Sequence, residues 1–313
     1  MKGIATALIV ILIWGVTFAN TRILLEEFSA LEINLIRFSL AWITLAVTQR
    51  FFVCRSARTH QGMIPWWLFP SMGFLGIFLY QFLENCAIYY TNASNVAILV
   101  SFGPIVTALM ARFLTSDRSL SIRLVVGSLL SVVGVSLVAM NGIVNFHLRP
   151  LGDMMALGAM VSWGGYSVLI DKANACGVTP VIAVQKAFGW AIIMMLPLAL
   201  WGTTDVGFIT LDGSYSVTLD LPANFDRFSS LSNWGHFVFL GVLASAVCFV
   251  LWSFACRILG VVKVTIGLYL TPIVGVIFST IFLKEELTTL SAFGGILILI
   301  GVFVATIRKG VVR

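Results

Sequence analysis

The sequence predicts an all-α integral membrane protein of ten transmembrane helices, arranged as two inverted repeats of five. Three observations carry that prediction. The 313 residues are 59% hydrophobic and only 10% charged, with a mean hydropathy of +1.03, whereas soluble chains run nearer ~25% charged. The apolar residues fall in continuous stretches, unlike the alternating segments of about 10 residues that build a membrane barrel. Motifs from the first half return in the same order in the second. In water such a surface would be one large aggregating patch, and a disordered chain needs low hydrophobicity and high charge. Five cysteines, sparse and odd in number, exclude a disulfide scaffold.

A spanning helix needs ~20 mostly apolar residues, because each rises about 1.5 Å across a hydrocarbon core about 30 Å thick. Ten segments meet this length: 4–22, 33–53, 65–89, 94–114, 122–140, 151–170, 180–201, 235–256, 262–283 and 289–307. The first is read as a span and not as a cleaved signal, since no small-x-small site follows before Arg22. The linkers are short except for a polar outer loop at 202–234. Within it, Asp212-Gly213 is flanked by alternating apolar and polar residues, a hairpin signal.

Basic residues set the orientation, because Lys and Arg collect on the cytoplasmic side. With the N-terminus inside, 14 of the 19 basic residues fall in inner segments and four in outer ones, leaving Arg37 within a span. Both termini are therefore expected in the cytoplasm, on a multi-pass protein of the plasma (inner) membrane. The net charge of +6 is scattered between apolar stretches, so it marks membrane topology rather than nucleic-acid binding.

The repeat is read from four matches. Trp14-Gly15 returns as Trp163-Gly164, and Arg37 falls on Lys186 at the same offset. Gly103-Pro104-Ile105-Val106 matches Thr271-Pro272-Ile273-Val274. Gly127 to Gly134-Val135 matches Gly294 to Gly301-Val302. The halves are expected at 1–143 and 144–313. An odd number of helices per half inverts the second copy, an organisation of secondary transporters that places the substrate between halves at mid-membrane.

These motifs, together with Leu283-Lys284-Glu285-Glu286-Leu287-Thr288, resemble the EamA-type family of the drug/metabolite transporter superfamily. The likeness covers nearly the whole chain except 202–234. It implies efflux or exchange of small metabolites, amino acids being the commonest class, driven by protons or by exchange. The first half departs from the family pattern, since Ser116-Asp117-Arg118 stands where the second half has the acidic corner.

Candidate site residues come from what is expensive to bury in lipid. Arg37 and Glu84 are the two ionisable side chains clearly inside spans, both in the outer half, so they can pair. Two readings fit them, a static latch or an outer gate whose pairing changes between access states. Tyr80, Gln81, Glu84 and Asn85 share one side of helix 3, and a polar stripe at that depth faces the interior, as a site or as interhelical hydrogen bonding. The resemblance favours the site. Trp14 and Trp163 lie near mid-membrane, away from the interfaces where Trp collects, and suggest facing walls of one chamber or packing against glycine. Tyr166 and Tyr269 are expected to add to that lining. Pro104 and Pro272 are expected to kink helices 4 and 9. Lys186 is expected to snorkel to the interface, while Trp66, Trp67, Trp201 and Trp234 read as interfacial belt.

No Gly-x4-Gly-Lys-[Ser/Thr] motif appears, so energy is not expected from a nucleotide-hydrolysis domain on this chain. The three histidines are scattered and no metal-ligand spacing is present, so no cofactor or metal is expected. The expected partners are a small-molecule substrate, membrane lipid and, as coupling ion, protons. An exchanger of phosphorylated metabolites or nucleotide sugars would need several basic residues in the cavity, where only Arg37, Lys186 and Lys263 are near enough. An intramembrane enzyme would need a nucleophile–base or metal set within the spans, and a lipid flippase a groove open to lipid.

Overall fold

The computed structural model describes residues 2–51, 64–90, 93–115, 121–140, 150–201, 225–282 and 288–307, and these are helical with no strand among them. The hairpin expected within 202–234 and the acidic corner at Glu285-Glu286 lie outside the described residues. In chain order the α-helices are α1 (Lys2–Leu24), α2 (Ala30–Phe51), α3 (Leu68–Gly73), α4 (Tyr80–Tyr90), α5 (Ala93–Val100), α6 (Gly103–Leu114) and α7 (Ile122–Met140). They continue as α8 (Pro150–Ala175), α9 (Pro180–Trp201), α10 (Leu231–Val238), α11 (Cys248–Leu259), α12 (Val261–Ile266), α13 (Thr271–Phe282) and α14 (Thr289–Thr306). Seven described helices are long and apolar enough to cross a membrane: Ala30–Phe51, Val96–Leu114, Ile122–Met140, Pro180–Ala199, Leu231–Leu259, Val261–Phe278 and Thr289–Thr306.

Local chemistry explains where helices start and stop. Ser29 and Glu32 form a capping box at the head of α2: the Ser29 N–H donates to Glu32 Oε2 at 2.8 Å and the Glu32 N–H to Ser29 Oγ at 3.3 Å. Prolines open α8 and α9, where a missing N–H costs nothing. Between those two helices Gly177 takes a φ of 72°, and the Val178 N–H reaches back to the Ala173 carbonyl at 3.1 Å, closing the helix end with a residue that has no Cβ to clash. Thr288 caps α14.

Two rods are not regular throughout. Residues Phe74–Leu79 join α3 to α4, and Phe239–Val247 join α10 to α11, each as a π-helical stretch. Both open on Phe-Leu-Gly followed by a β-branched residue, Phe74-Leu75-Gly76-Ile77 and Phe239-Leu240-Gly241-Val242. The glycines are where neighbours press in. A Cβ on Gly76 would clash with the Tyr166 ring, and one on Gly241 would lie 2.7 Å from Leu40 Cβ and 2.9 Å from the Arg37 carbonyl.

Packing is helix on helix. α7 lies along α14, α2 along α9 and the 239–247 stretch, α4 and α6 along α8, and α1 along α11 and α13. Gly127 meets the Gly301 carbonyl and Gly134 the Gly294 carbonyl, so residue numbers rise on one helix as they fall on the other and the pair is antiparallel. Outward faces carry Phe113, Met154 and Phe303, exposed by 79%, 71% and 67%, which is the surface of a lipid-embedded bundle.

At one end of the bundle the α1–α2 turn is tied to the start of α10. Arg227 pairs with Glu32 at 2.7 Å, with both side chains buried, and also donates to the Glu27 carbonyl at 2.7 Å. Asn233 Nδ2 donates to Glu27 Oε2 at 2.6 Å, and His236 Nδ1 stands 2.7 Å from Asn20 Oδ1. Glu32 and Arg227 therefore join Arg37 and Glu84 among the charged groups withdrawn from solvent, where their spacing in the sequence had placed them in outer linkers.

Candidate functional site

Trp14 on α1 and Trp163 on α8 meet edge to face, with ring centroids 5.9 Å apart. Phe249 and Trp252, both on α11, close the group at 5.5 and 5.2 Å from Trp14. Tyr80 and Tyr166 flank Trp163 at 5.3 and 5.5 Å. Edge-to-face rings at such distances attract through their quadrupoles, so four separate helices present one aromatic cage. Its walls hold polar atoms without protein acceptors: Trp163 Nε1, Trp252 Nε1 and the Tyr166 hydroxyl are buried with no hydrogen-bond partner among the described residues. An unmet buried donor costs about 1–3 kcal/mol, so the cage is chemically suited to a ligand, or water, that carries acceptors.

The Trp14 indole is satisfied, and by an unusual acceptor. Its Nε1 donates to the Ala244 carbonyl at 2.9 Å. Ala244 lies in the π-helical stretch, where the Cys248 N–H reaches Leu243 instead of the usual fourth residue back, which disturbs the ladder and leaves carbonyls open to side chains. The first π-helical stretch is used in the same way, with Ser162 Oγ donating to the Leu75 carbonyl at 2.7 Å.

The charges adjoin the cage. Arg37 is 9% exposed, and its Nε donates to Ser245 Oγ at 2.6 Å. Its own carbonyl lies level with Gly241, so the side chain runs about one turn deeper along α2 to reach Ser245. The Tyr80 hydroxyl donates to Glu84 Oε1 at 2.8 Å. Arg37 and Glu84 remain in electrostatic reach of one another, but the direct pair suggested by their depth is not made in this structure. The reason is the close approach at Gly241, which draws α2 onto the π-helical stretch and gives Arg37 a nearer acceptor.

The other expected residues divide. Asn85, with Asn34, lines a narrow cleft between α2, α4 and α9, while Gln81 is half-buried beside it. Tyr269 does not join the chamber. It is 2% exposed and packs with Val135 and Ile298, because residues 267–270 tighten into a 3-10 turn that carries it toward α7 and α14. Pro104 and Pro272 stand where two spanning rods, Val96–Leu114 and Val261–Phe278, are interrupted. Each stands in the first turn of a new segment, after the turn at Ser101-Phe102 and the 3-10 turn respectively. Lys186 projects over the Phe69 ring at 4.5 Å, and it and Lys263 are exposed, so neither adds to the charge at Arg37.

Sequence reading missed Ser245, Phe249, Trp252 and Ser162. The Phe-Leu-Gly repeat would have found two of them. Laying 74–77 on 239–242 puts Ser245 opposite Tyr80 and Phe249 opposite Glu84.

A multi-pass membrane fold with buried charges, indoles and opened backbone gathered from several helices defines a membrane transporter rather than an enzyme. The chain belongs to the EamA-like transporter family, whose model matches residues 1–140 and again 150–307. It is 24% identical over 310 residues to a protein of Streptantibioticus cattleyicolor named "Probable terminal-alkyne amino-acid exporter", covering 98% of this chain and 94% of that one. It is 25% identical over 299 residues to one of Escherichia coli named "Probable amino-acid metabolite efflux pump", covering 95% and 92%. A solved crystal structure shares the fold, with a TM-score of 0.75 at 18% identity over 97% of this chain and 96% of that one.

Proposed function

We propose that the chain exports amino acids or closely related metabolites across the plasma membrane by alternating access, in exchange for protons. The observation that carries this reading is the aromatic cage between α1 and α8, with one buried cation and one half-buried carboxylate beside it. The names of the relatives support the substrate class. A phosphorylated substrate would call for more cations than Arg37 alone.

In this reading the membrane is crossed ten times. To the seven long apolar helices are added α1, the rod from α3 to α4, and α8. The halves 1–143 and 144–313 are inverted copies with both termini cytoplasmic. The antiparallel meeting of Gly127 and Gly134 with Gly301 and Gly294 supports inversion, since equivalent helices of inverted copies run in opposite directions. The two family-model segments support the division. Trp14, Tyr80, Gln81, Glu84, Asn85, Trp163 and Tyr166 line the path, and Arg37 with Glu84 forms the outer gate.

The test is counterflow in proteoliposomes with an amino-acid panel and an internal pH-sensitive dye. Uptake of one or more amino acids with opposed proton movement is expected. Transport without proton movement or an exchange partner would remove the coupling. Glu84→Gln with unaltered uptake and unaltered pH dependence would reduce Arg37 and Glu84 to a packing latch.

A further inference from the structure

We infer that Arg37 and Glu84 are the two ends of a clamp for a zwitterion, Arg37 taking the carboxylate and Glu84 the ammonium group, while the indoles of Trp14, Trp163 and Trp252 receive a large apolar side chain. The inference rests on the export reading above and adds which part of the substrate each residue holds.

The argument starts from unused hydrogen-bonding capacity. Arg37 is nine-tenths buried and uses Nε alone, on Ser245; its two terminal nitrogens donate to no described residue. What remains is the end-on fork of the guanidinium, whose planar geometry matches a carboxylate with two parallel bonds. Glu84 accepts through Oε1 from Tyr80, and its second oxygen receives no described donor. Ser245 and Tyr80 thus hold the two charged groups in place while leaving the outer atoms of each for something else.

Charge balance selects what that something is. The groups influence each other electrostatically yet make no contact, so each charge is left without the paired geometry that repays burial. An amine would satisfy Glu84 but face Arg37 with like charge, and an acid would do the reverse. A zwitterion satisfies both. The clamp also has its third wall in place. The Tyr80 ring that steadies Glu84 lies 5.3 Å from Trp163, and Ala244, next to the Ser245 that steadies Arg37, accepts the Trp14 indole. A side chain on the α-carbon of a clamped zwitterion is therefore directed at the indoles. As an outer gate, the pair closes on the substrate rather than on itself.

The experiment uses full-length protein in proteoliposomes, with counterflow of labelled L-phenylalanine competed by L-phenylalanine, phenethylamine and 3-phenylpropionate. These three ligands share a ring and differ only in their charges. The wild type is expected to prefer phenylalanine to either analogue by ~100-fold, the scale of an unpaired buried charge. Arg37→Gln is expected to weaken phenylalanine by a similar factor while strengthening phenethylamine, which no longer meets a like charge, and Glu84→Gln to weaken phenylalanine while strengthening 3-phenylpropionate for the same reason. Equal competition by all three ligands on the wild type overturns the clamp without needing any variant to fold. Variants that weaken all three by one common factor overturn it as well, leaving the export reading intact. Wild-type protein that exchanges no amino acid overturns the export reading and the clamp together.

Discussion

Matching motifs of the two halves meet at two places, and the meetings are opposite in kind. Along α7 and α14 the contact is made by the smallest residues. A Cβ on Gly134 would lie 2.6 Å from the Gly294 carbonyl and 2.7 Å from Ile298 Cγ1, so backbone rests on backbone and nothing fits between. Where α1 approaches α8 the contact is made by the largest, Trp14 against Trp163, with Tyr80, Phe249 and Trp252 around them and buried donors left unmet. Glycine lets helices touch and gain dispersion along their length where lipid offers no hydrophobic drive to associate. Indoles hold helices further apart and pack on one another, with polar N–H groups among the rings. The first meeting is a seam of backbone on backbone; the second is a ring cluster with hydrogen-bonding capacity to spare.

The sharpest way to break the comparison is at the seam. Gly134→Leu is expected to cost more than about 3 kcal/mol, the upper range for overpacking, and to abolish a monodisperse peak in detergent. A variant that keeps its peak and its melting temperature would mean that the seam is not tight. Next in size is Trp14→Phe, which keeps a ring and removes the N–H that holds the Ala244 carbonyl. Stability is expected to fall by only about 1 kcal/mol, the net worth of a hydrogen bond, while counterflow falls roughly tenfold, as such a bond is worth at a site. Equal losses of folding and transport would make the cage a second seam. Ser162→Ala removes the bond to the Leu75 carbonyl and tests the other π-helical stretch, with an expected loss of about 0.5–1.5 kcal/mol in thermal unfolding. Smallest is Gly295→Ala, one residue from Gly294 on the same helix but with nothing within 4 Å of an added Cβ. It is expected to be neutral or to stabilise by up to about 1 kcal/mol, as alanine is the better helix former, and a marked loss would show that proximity in sequence to the seam matters more than contact.

The glycines of the seam were legible in the sequence as a repeat, but their meeting was not, and neither was much of the cage. Gly127, Gly134, Gly294 and Gly301 announce themselves by spacing, while which helices they bring together is a matter of contact. Trp14, Trp163 and Tyr166 were also legible, as large polar-tipped rings at depths where lipid is a poor partner. Arg37 was legible as an anomaly, but its partner Ser245 lies 208 residues away, and a serine in a membrane helix is too common to stand out. Tyr269 misled for a related reason: its nearness to Pro272 suggested the chamber, while a 3-10 turn set its direction.

By itself, then, the sequence determined the solvent and the helical class, because each follows from composition and length along one segment. Only the tertiary structure decided which side chains meet. Helices that are apolar on every face carry no stripe to mark the inward side, so Trp252 and Phe249 read no differently from residues that face lipid. The two π-helical stretches shift the register of everything beyond them, and Tyr166 presses on one at Gly76 as Leu40 and the Arg37 carbonyl press on the other at Gly241, contacts between distant parts of the chain.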